Sequence, residues 1–509
     1  MSSRVGFPIV TAETGVTDTS YPVGNVRRYG ALALSGVDDT PAILRAFDAI
    51  VAMGGGVVEF PGGTYCIKGA PTLTNASNVT VVGNGAILQL TATATFGIQL
   101  AGVSTNVVVD GIRVIGTNSV PEADDGGATG IGSLRASAGG TATGTAVRIR
   151  NCYVEKTARG ILFDGLTMAS WTDVTIDANE VTDILGTRSG TGYGIGCASG
   201  TGYRVTKNRL ARCQRHSTYV SIARDVVLAN NRYLDHRAGV STNTQTSACE
   251  IARSGFVVVN ANIFDNCADG AISIEPHESD SSAETAGFQI TSNIIRNSPL
   301  IDIFIGGQGN PSSSGVSTLA DVTIAGNYIK RPPGATNTSV PIYVYHVDGL
   351  LVSNNTIRAE NAFTSQFCAI YLQGNGGASY TKNVLICSNR SRTTSAVTGA
   401  TYFLEVSAAV ATGTESISVA QNSHVFSGGG GGLIVFDVPL TNTKFITEAL
   451  GGSLINDPVS STLAGQAAYL ASHTTFAAAG TNGPVPSAVV GYLNISIDGT
   501  IYKLPYFNS

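Results

Sequence analysis

The sequence predicts an all-β fold built as a solenoid of stacked coils, and three observations carry that expectation. The first is a repeat, a short strand-like run closed by Asn. It reads VRIRN to Asn151, VTIDAN to Asn179, YRVTKN to Asn208, VVLANN to Asn231 and VVVNAN to Asn262. It continues as FQITSN to Asn293, VTIAGN to Asn327, LLVSNN to Asn355, VLICSN to Asn389 and ISVAQN to Asn422. By subtraction these Asn residues stand between 23 and 34 residues apart, the period of a repeat architecture. The second is the texture of the runs: Val, Ile, Tyr and Thr alternate with polar residues and show no helical period. The third is glycine, 61 of 509 residues, which suits a chain with many tight corners. One coil cannot bury its inner face alone. Stacking coils about 4.8 Å apart buries a continuous core and pairs every backbone edge except at the ends. Asn at one corner of every coil can then form an amide ladder, so these residues are read as architecture.

Residues 1–25 are polar and unpatterned, an arm or linker. Residues 26–70 read as a capping segment. Thr40 suits an N-cap, Pro41 suits the first helical turn, and Ile43, Leu44, Phe47, Ile50 and Val51 recur at helical spacing. The spacing predicts an amphipathic helix over 41–53, ended by Gly54 to Gly56 and placed to cover the open end of the first coil. Coils follow over 71–427, interrupted by a Gly/Ala/Thr-rich insertion at 117–145. Glu122, Asp124 and Asp125 in that insertion could hold Ca²⁺, against the plainer reading of a solvated loop. No other cofactor and no metal centre is expected. Residues 428–509 read as a C-terminal capping or oligomerisation region, with one short helix near 463–480 and a hairpin about Asp498-Gly499.

The segments RRYGA, DDTPAI and GGGVVEFPGGTY in residues 26–70 resemble the entry of the pectate-lyase-like right-handed parallel β-helix proteins. ALALSGV departs from that pattern, lacking its Gly-Asp-Gly turn. The preceding TAETGVTDTSYPVGNVRRYGA is similar to the entry of phage tailspikes and their bacterial relatives. The resemblance implies a single-stranded right-handed parallel β-helix, action on a polysaccharide, a homotrimer, and a location on a virion tail or outside the cell.

Bulk properties narrow the partners. Net charge is −5 with 13% charged residues, which speaks against a general nucleic-acid binder. No apolar stretch approaches the ~18 residues of a membrane span, and no signal peptide is visible at the N-terminus. The eight Cys residues include no C-x-x-C pair, so they read as reduced thiols packed like small hydrophobes.

Function must sit on outward side chains, because the interior of such a solenoid is packed. Aligning the strand after each ladder Asn by its aliphatic positions gives an outward column: Leu162, Gly196, Tyr219, Glu250, Ser273, Phe304, Tyr343, Tyr371 and Glu405. A second column, two residues on, holds Asp164, Ser221, Glu275, Tyr345 and Gln373. Tyr219, Glu250 and Glu275 fall on three successive coils. Arg215, His216, His236, Arg237, Arg253, His277 and Glu278 stand at the flanking corners. Such crowding in a chain of low charge is the main functional signal. The favoured reading is an endo-acting glycoside hydrolase with Glu250 and Glu275 as its acid and base or nucleophile. Diagonal neighbours of this kind stand about 7–8 Å apart along the backbone. In this reading Tyr343, Tyr345 and Tyr371 form an aromatic platform for sugar rings. A second reading is a polysaccharide lyase or uronate epimerase, with His216 and Tyr219 as base and acid and Arg215, Arg237 and Arg253 holding carboxylates. A third is a glycan-binding adhesin without catalysis. His236 stands five residues after Asn231, the place of Cys213 and Cys267 in their coils, which points it inward.

Overall fold

The computed structural model describes residues 14–119, 127–134, 142–186, 190–237, 246–275, 285–299, 301–306, 319–331, 340–359, 367–373, 381–393, 401–406, 417–425, 431–436, 444–445, 455–456, 491–497 and 500–506. The chain is a parallel β-helix. Each coil has three strands, as in Gly255–Asn260, Ile263–Asp265 and Gly270–Glu275. The short second strands stack into one 13-stranded sheet, and the first and third strands join in a 27-stranded sheet. Successive coils pair in parallel register, so like residues stack on like. In the first strands Val226, Val257, Phe288, Val322, Leu350, Val384 and Ile417 form one such row, and all are buried. Each fully buried side chain of this kind contributes roughly 1.5–3 kcal/mol.

The amide ladder runs unbroken through nine residues: Asn179, Asn208, Asn231, Asn262, Asn293, Asn327, Asn355, Asn389 and Asn422. In each rung the backbone N–H and Nδ2 both donate to Oδ1 of the next Asn, as Asn231 does to Asn262 at 2.9 and 3.1 Å. Nδ2 also donates to a backbone carbonyl, that of Val205 in this rung. The residue before each rung is left-handed, for example Ala178 at φ 53° and Lys207 at φ 54°. The side-chain amide therefore satisfies backbone groups that this sharp bend takes out of the sheet. Asn151 does not belong to the ladder. It is exposed and left-handed at φ 53°, and Cys152 takes the rung, donating its N–H to Asn179 Oδ1 at 2.9 Å.

At the N-terminus the helix spans Thr40–Ala52 with Asp39, not Thr40, at its cap. The Asp39 carboxylate is occupied elsewhere, accepting from Leu32 N–H and Cys66 N–H. Thr40 N–H is met by Asp38 Oδ1 instead. Ile43, Phe47 and Ile50 are buried in the core that continues into the first coils, and Phe47 meets Phe60 edge-on at 6.4 Å. Residues 14–25 are no loose arm: Thr17 N–H donates to Arg28 O at 2.8 Å, and Val16 and Val23 pack on the core. The eight cysteines are all free, seven of them buried. A separate unit, Tyr469–Ser509, contains an antiparallel hairpin of Gly491–Ile497 with Thr500–Tyr506. The helix expected near 463–480 and the acidic residues Glu122, Asp124 and Asp125 lie outside the described residues. Among the described residues no helix is long and apolar enough to cross a membrane.

Candidate active site

The third strands supply the site. Their register joins Leu162, Gly196, Tyr219, Glu250, Ser273, Phe304, Tyr343, Tyr371 and Glu405 into one column. Two residues further on, Ser221, Ala252 and Glu275 are in register. Glu250 and Glu275 are thus diagonal neighbours on adjacent coils, with the small Ala252 beside them.

His216 fixes one end of this cluster. It stands in register with Tyr193 on the previous coil and is only 2% exposed. Its Nδ1 lies 3.0 Å from the Ser247 carbonyl oxygen, and its Nε2 lies 3.0 Å from Glu250 Oε2. Tyr193 and Tyr219 stack at 4.6 Å with their planes 9° apart, and both rings lie about as close to the imidazole, at 5.6 and 5.5 Å. Arg215 lays its guanidinium over the Tyr193 ring at 5.4 Å, and its buried Nη1 has no hydrogen-bond partner.

The two carboxyls sit in opposite electrostatic settings. Burial pushes Glu250 up, but the charge and hydrogen bond of His216, with the Arg215 charge, outweigh it and hold Glu250 below the usual range. Burial and the Glu250 charge push Glu275 up to about 7, against the pull of the Ser273 hydroxyl, which donates to Glu275 Oε1 at 3.0 Å. Glu250 is therefore held as carboxylate, while Glu275 keeps its proton until the pH approaches neutrality. Burial, with the neighbouring Tyr193, pushes Tyr219 up to about 12, which makes it a poor base.

The flanking residues divide. Arg253 follows Ala252 on a left-handed turn, and its N–H donates to the Glu275 carbonyl at 3.2 Å. His236 does not reach the site. It is 2% exposed and its Nε2 lies 2.9 Å from the Arg215 carbonyl. Burial pushes it down to about 4, so it is a neutral core residue supporting Arg215 from behind. Arg237 is turned to Asp183 at 3.4 Å, where Arg212 also binds. His277 and Glu278 lie outside the described residues. The aromatic platform takes a different form from the one expected. Phe304 and Tyr343 stack at 5.3 Å, and Tyr343 and Tyr371 lie 5.1 Å apart at 34°. Their faces are turned to one another, so this strip offers ring edges and hydroxyls to a ligand. Tyr345 likewise stacks on His346 at 3.8 Å.

The sequence pattern hides Tyr193, because strict alternation back from Gly196 on the outer face and Ile195 on the inner one turns it inward. Gly194 and Ile195 both face the core there. A Cβ on Gly194 would meet Cys213 Sγ at 2.8 Å, and this break in alternation returns Tyr193 to the outer face. No group of three or more His, Cys, Asp or Glu suited to a metal exists among the described residues.

Comparison with known proteins agrees with the fold. Residues 23–272 match the family described as rhamnogalacturonase A/epimerase, pectate lyase-like. A mannuronan C5-epimerase of Azotobacter vinelandii is 46% identical over 66 residues, which is 12% of this chain and 4% of that protein. The chain thus spans only a small part of the length of such relatives. Among solved structures, the A-module of another mannuronan C-5 epimerase of Azotobacter vinelandii superposes with a TM-score of 0.50 at 14% identity, covering 84% of this chain and all of the module. A tailspike protein of E. coli bacteriophage HK620, in complex with a hexasaccharide, gives a TM-score of 0.49 at 13% identity, covering 87% of this chain and 77% of that one.

Proposed function

Because the chain is a pectate-lyase-like β-helix protein, matched to that family over residues 23–272, we propose that it cleaves a polysaccharide by hydrolysis, with Glu275 as general acid and Glu250 as its ionised partner. The observation that carries this reading is a pair of carboxyls set diagonally on adjacent coils, of which Glu250 alone meets His216, at 3.0 Å; that contact holds Glu250 down while burial and the Glu250 charge push Glu275 up. Glycoside hydrolysis needs such a pair. Glu275 gives its proton to the glycosidic oxygen as the bond from that oxygen to the anomeric carbon breaks. Glu250 takes a proton from the water that attacks the same carbon. Solvent then restores both groups. Tyr193 and Tyr219 wall the site, and the Arg215 charge, laid over the Tyr193 ring, favours the ionised form of Glu250.

The second reading, uronate epimerisation or lysis, is favoured by the 46% identity to mannuronan C5-epimerases over 66 residues. Against His216 as its base, both imidazole nitrogens are already engaged.

Incubation with a panel of acidic and neutral polysaccharides, followed by product mass analysis, separates the readings. Hydrolysis gives products heavier by one water per cut. Elimination gives lighter products with new ultraviolet absorbance. Epimerisation leaves length unchanged but takes up deuterium from heavy water. An adhesin binds without any of these.

A further inference from the structure

We infer that His216 is a positioning residue whose shared proton makes Glu250 the ionised member of the pair and thereby keeps Glu275 protonated. The kinetic consequence rests on the hydrolytic reading above; the electrostatic one does not. A carbonyl oxygen can only accept, so the 3.0 Å contact with Ser247 O requires a hydrogen on Nδ1. The 3.0 Å contact between Nε2 and Glu250 Oε2 then holds one proton, either as imidazolium with carboxylate or as neutral imidazole with carboxylic acid. The ring is buried against Tyr193 and Tyr219, and both nitrogens are committed. No atom of His216 is left to meet a substrate.

The groups facing this pair decide where the proton rests. Arg215 lies beside Glu250 and favours its carboxylate form. Tyr193 and Tyr219 are neutral walls. His236, behind Arg215, is a neutral core histidine. Glu275, on the next coil, feels the Glu250 charge. The influence is therefore serial: the His216 proton settles Glu250 as an anion, and that anion settles Glu275 as an acid. Taking the charge off position 216 lets Glu250 rise and Glu275 fall, so the two titrations converge.

The test uses two variants of the full chain with complementary losses. His216→Gln can still donate a neutral hydrogen bond toward Glu250. His216→Asn can keep the Ser247 contact but vacates the one to Glu250. With 13C-carboxyl-labelled glutamate, signals assigned by Glu250→Gln and Glu275→Gln, the wild-type protein shows two separated titrations that move toward each other in both variants. In kinetics, the acid limb of the bell-shaped pH profile of kcat/KM moves to higher pH, with a fall of roughly 10-fold or more on that limb. A lowered profile with both limbs in place, or carboxyl titrations that do not move, overturns the inference. Converging titrations in a protein that fails to hydrolyse any glycan uphold the electrostatic inference and reject hydrolysis.

Discussion

Glu275 and Asp302 stand on neighbouring third strands, Gly270–Glu275 and Ile301–Ile305, and both carboxyls are pushed up to about 7. The causes differ after burial. Glu275 is raised further by a like charge, Glu250, on the outer face. Asp302 is fully buried and is raised against the pull of an opposite charge, Arg331, itself wholly buried at 2.8 Å. Burial pushes Arg331 down as well, despite Asp302. A raised carboxyl is therefore no mark of function by itself. The sign of its neighbour and the side it faces separate a poised acid from an expensive piece of core.

The largest effect that would sharpen this contrast is on catalysis. Glu275→Gln should lower turnover by about 10²–10⁴-fold while glycan binding and folding persist, read by product release and by calorimetric binding. If the same variant keeps wild-type turnover, the hydrolytic assignment is wrong. Next in size is the core pair. Asp302→Ala strands a buried guanidinium and should cost about 3–5 kcal/mol in denaturant unfolding, whereas Asp302→Val combined with Arg331→Met should recover most of it. Equal losses in the single and double variants would mean that packing, not charge, is at stake. The smallest effect concerns the aromatic strip. Since Tyr343 stacks between Phe304 and Tyr371, Tyr343→Phe keeps the stack and should change affinity for oligosaccharide by less than about 5-fold, the share of one hydrogen bond. A larger loss would make its hydroxyl a main contact.

The same contrast has a pH form. Both carboxyls have folded pKa values above their unfolded ones, so each contributes stability that is full below about pH 4. That contribution is lost as pH rises through about 7. Glu275→Gln should flatten this fall, matching the wild type near pH 5 and exceeding it near pH 8 in unfolding free energy. A parallel fall in both proteins would show that Glu275 is not raised.

The repeat made the column from Leu162 to Glu405 legible, because aliphatic residues mark the inner face at every second position. The same phase turned His236 inward by its spacing from Asn231. Where a coil lacks its marker, the phase slips by one: Cys152 holds the rung that Asn151 was expected to fill. The helix cap falls one residue before the position that the sequence pattern marks, because Asp39 is drawn to Leu32 N–H and to Cys66 N–H, 27 residues on, and leaves Thr40 N–H to Asp38. Asp302 did carry a signal, standing in the inner row that holds Ala248 and Ala271 on earlier coils. Its partner Arg331, from the following second strand, carried none. The proton shared by His216 and Glu250 depends on a backbone carbonyl, Ser247 O, which no side-chain pattern can announce.

The amide ladder has a consequence for how such a chain can change over generations. Its rungs are 23 to 34 residues apart in sequence, yet every rung from Asn179 to Asn422 closes with side-chain contacts of 2.9–3.1 Å. An eleven-residue difference in coil length leaves no trace at the ladder. Differences in coil length are taken up away from the ladder, so the stretches between rungs can lengthen or shorten while the spine stays the same.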